Sequence, residues 1–126
     1  MFRAMSFILW DTENNHKQLR TVVVEHIHQN WNEYGPFVIA EWNISSRQDY
    51  FDYMIADGTF ASELECTVLT KLYRMNLSIY REIVGGGILK IIFHNRLNRN
   101  YSTARLLFSG ESDVGHYDVL ILLSDD

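Results

Sequence analysis

The sequence predicts an α+β domain in which N-terminal helices pack on a mostly antiparallel C-terminal sheet. In the first part of the chain, apolar residues recur every three or four positions, a spacing typical of amphipathic helices. From Leu77 onward, short β-rich runs alternate with glycine-rich or polar turns. Helices that precede strands without alternating with them favour the α+β class. A length of 126 residues without repeats or linkers predicts one domain over residues 1–126.

Segments with helical spacing follow one another in the N-terminal half. FRAMSFIL places Phe2, Met5 and Ile8 on one stripe, and HKQLRTVVVEHIHQNW is amphipathic. EYGPF contains Gly35 and the only proline, Pro36, and predicts a break between helices. SSRQDYFDYMIAD then predicts a further helix that starts with serine caps.

The next helix is predicted in the segment GTFASELECTVLTKLYRM. Ser62 is followed three residues later by Glu65, the spacing of a capping box. Its expected buried row is Leu64, Val68 and Leu72.

Four β-rich runs follow: LSIYRE, ILKIIFH, ARLLFS and YDVLILL. Gly85, Gly86 and Gly87 lie between the first two runs. They lack the Lys-Ser/Thr of a phosphate loop and do not precede a helix, so we predict a hairpin turn. The predicted core contains aliphatic and aromatic residues of both halves: Leu19, Val23, Ile27, Leu64, Val68, Leu72, Ile79, Ile91, Phe93, Leu107, Leu120 and Leu122.

Charge and composition limit the partners. Eleven Lys and Arg against 16 Asp and Glu give a net charge of −5, which argues against a nucleic-acid surface because phosphate binding relies on clustered cations. The single cysteine, Cys66, cannot form an internal disulfide, and this favours a cytoplasmic or nuclear setting. Apolar runs such as 119–123 are too short to cross a bilayer, and no signal peptide or membrane partner is expected.

The residues predict no metal and no cofactor. His26 and His28 flank Ile27 in a predicted helix, so their side chains diverge. His16 and His94 are isolated from any cysteine or acidic cluster with ligand spacing.

His116 and Asp118 are the candidate catalytic pair. On a strand, residues i and i+2 project to the same face, so these two side chains lie together while Tyr117 points the other way. A carboxylate beside an imidazole can accept its N–H, fix its tautomer and raise its basicity. Spacing alone leaves open that the pair is an ordinary start of a strand.

A catalytic pair of this kind needs a nucleophile, and the one thiol of the chain is poorly suited. Cys66 lies in the middle of a predicted helix close to Glu63 and Glu65, whose charges oppose a thiolate. We therefore interpret Cys66 as a buried structural residue.

Three segments together resemble the OTU (ovarian tumour) family of cysteine peptidases, most of whose members remove ubiquitin. They are MFRAMSFIL with LRTVVVEHI, then DGTFASELECTVLTKLYRMNLSIY, then HYDVLI. The resemblance spans Phe2 to about Leu122 and implies a papain-like α+β fold. HYD matches the family's His-x-Asp/Asn motif, which implies His116 as the general base and Asp118 as the residue that orients it. The implied chemistry is isopeptide hydrolysis through an acyl-thioester.

In that family the first helix follows an Asp-Gly-x-Cys motif, whose Cys is the nucleophile and whose backbone supplies oxyanion donors. The residues after this motif resemble Phe2 to Ser6. Met1 therefore stands directly after the position of that Cys. We expect a domain that lacks its extreme N-terminal nucleophile segment and is inactive as it stands.

The middle segment resembles the family pattern Gly-x-Trp-Gly-x-x-x-Glu-Leu, with Phe60 in place of Trp and Ala61 in place of the second Gly. The resemblance implies a substrate groove formed by Gly58, Thr59, Phe60 and Tyr117. Phenylalanine keeps the aromatic packing, whereas the alanine side chain restricts a close backbone approach.

The resemblance implies three alternatives for function. The first is an OTU-type cysteine deubiquitinase of which this chain is an N-terminally incomplete copy. The second is a non-catalytic relative, or pseudoenzyme, that keeps a ubiquitin-binding surface. The third is a folded gene fragment without activity. Ubiquitin or a ubiquitin-like protein is the expected partner in the first two.

Overall fold

The computed structural model describes residues 1–83, 87–111 and 115–121. The α-helices of this part of the chain are α1 (Phe2–Trp10), α2 (His16–Gln29), α3 (Trp31–Trp42), α4 (Arg47–Met54) and α5 (Glu63–Leu72), with a 3-10 turn at Glu13–Asn15. The strands are β1 (Asn76–Glu82), β2 (Leu89–Asn95), β3 (Thr103–Ser109) and β4 (His116–Val119). The predicted α+β class is confirmed. Within these ranges, no helix is long and apolar enough to span a membrane.

The four described strands form one sheet in the order β2-β1-β3-β4. The outer pairs, β1 with β2 and β3 with β4, are antiparallel, and the central pair β1 with β3 is parallel. Antiparallel pairing therefore predominates, as predicted. Because β3 runs parallel to β1, the loop of residues 96–102 has to cross the start of β1 to reach it.

The predicted break at Gly35 and Pro36 is wrong, because both residues lie inside α3. A proline ring clashes with the Cβ of the residue before it in a helix, and glycine has none. Gly35 is also needed for packing, since an added Cβ would lie 2.7 Å from the indole Cε2 of Trp31.

The core lies between the helices and one face of the sheet. Of the predicted core residues, five are buried: Leu19, Val23, Ile27, Val68 and Ile79. Leu64 and Phe93 are half-buried and pack against this core, and Leu120 is half-buried. The prediction for Leu107 is wrong, because it pairs with Tyr80 and lies on the sheet face opposite to the buried Leu106. Leu122 lies outside the described residues, as do Gly85 and Gly86 of the predicted hairpin turn. The predictions for Leu72 and Ile91, which are 37% and 51% exposed, are wrong.

The errors at Leu72 and Ile91 have local causes. In α5, Leu72 lies seven residues after Glu65 on the same face, but it is the last residue of the helix and remains accessible there. In β2 an irregularity opposite Ile79 and Tyr80 pairs Ile91 with Tyr80 and moves it to the face away from the helices.

Glu65 is the polar centre of the helical layer. The predicted capping box is confirmed: Oε1 accepts hydrogen bonds from the Ser62 N–H at 2.7 Å and from Ser62 Oγ at 3.0 Å. Oε2 accepts one from the Tyr50 hydroxyl of α4 at 2.9 Å. The side chain is fully buried, and this burial raises the pKa of its carboxyl group.

Replacing Glu65 should therefore destabilise the fold strongly. We expect Glu65→Ala to lower the free energy of unfolding by about 3 kcal/mol, since it leaves a buried N–H and a buried phenol without an acceptor. Urea unfolding measures the loss. Glu25→Ala, which removes an exposed glutamate from α2, is the matched control and should stay within about 0.5 kcal/mol of the parent chain. Equal losses in the two variants would contradict the role of Glu65.

Glu65 should also leave a signature in the pH dependence of stability. Its pKa is raised in the folded chain, so the folded state binds more protons than the unfolded state between the unfolded pKa of about 4.5 and the folded one. The free energy of unfolding of the parent chain should therefore fall, relative to Glu65→Gln, as the pH rises through this window. Urea unfolding of both chains across the window tests the sign, and a parallel pair of curves would refute it.

Candidate active site

His116 and Asp118 stand side by side where β4 begins. Both are exposed, while Tyr117 between them is 6% exposed and faces the helices. His116 Nε2 lies 2.9 Å from Asp118 Oδ1. A carboxylate only accepts hydrogen bonds, so this contact puts a proton on Nε2. In the neutral ring, the Nδ1 lone pair is then left to accept a proton from another group.

The start of β4 opens on a cavity of about 280 Å³. Its lining includes His116 together with Met1 and Phe2 at the N-terminus of α1. The residues that the sequence placed in the substrate groove are also part of this lining: Gly58, Thr59, Phe60 and Tyr117. Asp118 does not itself line the cavity, but it contacts His116, which does. The structure thus brings the candidate base, the groove residues and a helix N-terminus to one place.

Aromatic packing holds the two walls of this cavity together. The Phe60 ring stacks on Tyr117 with centroids 5.7 Å apart, and Phe108 of β3 lies 5.1 Å from Tyr117. Gly115, directly before His116, allows this contact, because an added Cβ would lie 2.3 Å from the Phe108 ring. Burial raises the pKa of Tyr117, so its phenol stays protonated.

Arg20 of α2 binds the segment of residues 58–60, here called the groove segment, which lines the cavity. Its guanidinium donates one hydrogen bond to the Met54 carbonyl and one to the Thr59 carbonyl, each at 2.8 Å. The same group lies 4.6 Å from the centroid of the Phe2 ring. Arg20 therefore connects α1, the end of α4 and the segment that lines the cavity.

The sequence interpretation missed Arg20 and also His16, which it treated as isolated. His16 is 8% exposed, lines the cavity and lies 3.6 Å from Asp57, just before the groove segment. Burial lowers its pKa. A signal was present, because His16 and Arg20 extend the buried stripe of Val24 at four-residue spacing. Polar residues in line with an apolar stripe indicate a polar buried contact.

Cys66 is not accessible to a substrate and cannot act as the nucleophile in this structure. It is fully buried in α5, as expected from the sequence. Burial raises the pKa of its thiol, and Glu65 and Glu63 raise it further, so the thiolate is strongly disfavoured.

Two further cavities continue from the one beside His116. A central cavity of about 290 Å³ shares Phe60 and Tyr117 with it. A larger one of about 810 Å³ lies between α3 and α5 and shares Glu41 and Glu63 with the central cavity. Burial raises the pKa of both glutamates, and Glu41 further raises that of Glu63. Glu41 and Glu63 thus form an acidic path between the central cavity and the cavity at α3 and α5, neither of which is lined by His116.

Solved structures share this architecture. The OTU domain of OTUD1 superposes with a TM-score of 0.76 at 16% identity, covering 94% of this chain and 75% of that one. The viral OTU domain protease of Qalyub virus gives 0.68 at 19% identity, with 94% and 76% covered. That of Dera Ghazi Khan virus gives 0.67 at 15% identity, with 95% and 74% covered. These similarities establish the OTU fold.

Sequence comparison adds the family. The OTU domain-containing protein CG3251 of Drosophila melanogaster is 22% identical over 125 residues, which are 99% of this chain and 23% of the fly protein. The chain thus spans less than a quarter of that relative. A family model for OTU-like cysteine proteases matches residues 1–117. This match covers nearly the whole domain, and the chain belongs to the OTU-like cysteine protease family.

Proposed function

We propose that this chain carries the general base and the substrate groove of a thiol-dependent deubiquitinase, and that its nucleophile is a cysteine joined directly before Met1. The observation that carries the proposal is the 2.9 Å contact between His116 and Asp118, in a cavity that also contains the N-terminus of α1. Family membership supports this use of the site.

In the proposed reaction, His116 takes the thiol proton on its free Nδ1 while Asp118 holds Nε2–H. The thiolate attacks the isopeptide carbonyl, and the protonated imidazole then gives its proton to the departing lysine amine. Water, deprotonated by the same histidine, hydrolyses the acyl-thioester and releases the carboxylate of ubiquitin. Asp118 is accordingly a positioning residue, since its bond fixes which ring nitrogen can act as the base.

The position before Met1 suits a thiolate for a physical reason. It lies at the N-terminus of α1, where the partial positive charge of the helix stabilises anions and lowers the pKa of a thiol. The buried Cys66 has the opposite surroundings. Without the cysteine before Met1, the chain is therefore expected to be inactive toward isopeptide bonds.

The acidic path beside the site supports a cationic substrate tail. Glu41 and Glu63 line both the central cavity and the cavity between α3 and α5. Burial raises the pKa of both carboxyl groups, and no paired cation offsets this effect in the described part of the chain. An extended peptide with Lys or Arg side chains would supply the missing positive charge on its way to His116. A C-terminal tail of ubiquitin or of a ubiquitin-like protein is the proposed occupant.

Adding the nucleophile tests the proposal directly. We expect a chain extended by Asp-Gly-Ala-Cys before Met1 to be labelled by a ubiquitin whose C-terminus carries an electrophile, and the unextended chain not to be. Replacing His116 by Ala in the extended chain should slow labelling by about 100-fold or more, because the general base is lost. Intact-mass spectrometry measures the rate and the labelled residue.

The matched control is the extended chain with Ser in place of the added Cys, which should not react. Labelling at Cys66 in any of these chains would overturn the proposed site. An extended chain that binds ubiquitin but never reacts would instead favour the alternative of a non-catalytic ubiquitin-binding domain. Such a result would mean that the groove binds ubiquitin but that the thiol is not activated.

The role of Asp118 has its own test in the extended chain. Asp118→Ala should slow labelling by about tenfold, because the imidazole loses the acceptor that fixes its tautomer. Asp118→Asn should retain most of the rate, since a carboxamide oxygen still accepts the Nε2–H. Labelling rates across pH give the readout: the alanine variant should shift the profile, and identical rates and profiles in all three chains would remove Asp118 from the site.

A further inference from the structure

The sheet face turned away from the helices contains a polar recess of about 300 Å³. Its floor is formed by Asn76 and Ser78 of β1, each only 3% exposed. Three arginines line it: Arg96, Arg99 and Arg105. We call this site the cationic recess. In a chain with a net charge of −5, such a concentration of arginine is not explained by composition.

Strand register assembles one row of the recess. Ser78 of β1 is paired with His94 of β2 on one side and with Arg105 of β3 on the other, so the three side chains stand in line on one face. Ser78 Oγ and His94 Nδ1 lie 2.8 Å apart. Whichever of the two donates in this contact, one donor remains for a ligand, either His94 Nε2–H or the serine hydroxyl.

Asn76 fixes the loop that carries the other two arginines. Its amide group donates to the carbonyls of Asn98 and Tyr101 at 2.7 and 3.1 Å. Its oxygen accepts the N–H groups of Leu97 and Asn98 at 2.7 and 3.1 Å. Four hydrogen bonds to one buried side chain thus fix the backbone of the loop from which Arg96 and Arg99 project. Such preorganisation lowers the entropic cost of binding.

Within residues 1–83, 87–111 and 115–121, none of the three arginines forms an ion pair with a carboxylate. Guanidinium groups bind phosphate through paired, parallel N–H donors. A recess of this size accommodates one tetrahedral dianion with donors on several sides. An extended nucleic-acid strand needs a longer cationic stripe than three clustered arginines provide.

We propose that the cationic recess binds a phosphate monoester, with Arg96, Arg99 and Arg105 as its charge partners and the Ser78–His94 pair as an additional donor. The phosphate could belong to a phosphorylated protein side chain or to a free phosphorylated metabolite. Both present the same dianion to the same donors.

A titration of the isotope-labelled full chain with sodium phosphate, followed by amide NMR, tests the site. We expect saturable shifts at Ser78, His94 and Arg105 that sodium chloride of equal ionic strength does not produce. Arg105→Gln should weaken phosphate binding by about tenfold. The double variant Arg96→Gln/Arg99→Gln provides a second, independent loss on the loop side of the recess.

Arg47→Gln is the charge-matched control, because it removes one exposed arginine from α4 in the helical layer. It should leave phosphate binding unchanged. A phosphoserine peptide that binds more tightly than its unphosphorylated form identifies a protein source, and tighter binding of adenosine monophosphate identifies a metabolite; either supports the site. Equal shifts with chloride, or equal weakening by Arg47→Gln, would overturn it.

Discussion

The buried carboxylate of Glu65 is the constraint on which the arrangement of the helices and the groove depends. It accepts hydrogen bonds from Ser62, which begins α5, and from Tyr50 of α4. Because Ser62 lies only two residues after Phe60, the same carboxylate also restricts the chain that leads out of the cavity lining. Burial of this carboxyl group is costly, and the three hydrogen-bond donors offset only part of that cost, since its pKa stays raised. The helical packing and the groove are therefore determined together.

Side chains of β3 alternate between the two faces of the sheet, so that apolar residues face one side and Arg105 faces the other. On one face of β3, Leu106 and Phe108 pack toward the helices, where Phe108 lines the central cavity. On the other face, Arg105 meets the polar floor of the cationic recess. Shifting β3 by one residue would exchange these faces, since side chains alternate with a period of two. Both sites thus depend on a single register between β1 and β3.

The sequence was sufficient for the features that depend on local periodicity. Strand alternation predicts that His116 and Asp118 project together, and the spacing of Ser62 and Glu65 predicts a capping box. Features that depend on distant packing could not be derived. Gly35 reads as a helix breaker until the Trp31 indole that requires it is in place. In β3, adjacent leucines satisfy either alternation, so the inward one is decided by its partners in β1 and not by local pattern.

The net charge of the chain does not show how its charged residues are distributed over the surface. The −5 total argues against an extended nucleic-acid surface, yet it conceals two opposite local charges on opposite sides of the sheet. Glu41 and Glu63 make the central cavity acidic, whereas the arginines of the outer face form a compact cationic site. The cavities lined by Glu41 and Glu63 share no residue with the cationic recess, so each site acts on its own ligand. A cationic tail and a phosphate group could therefore bind at the same time without competing.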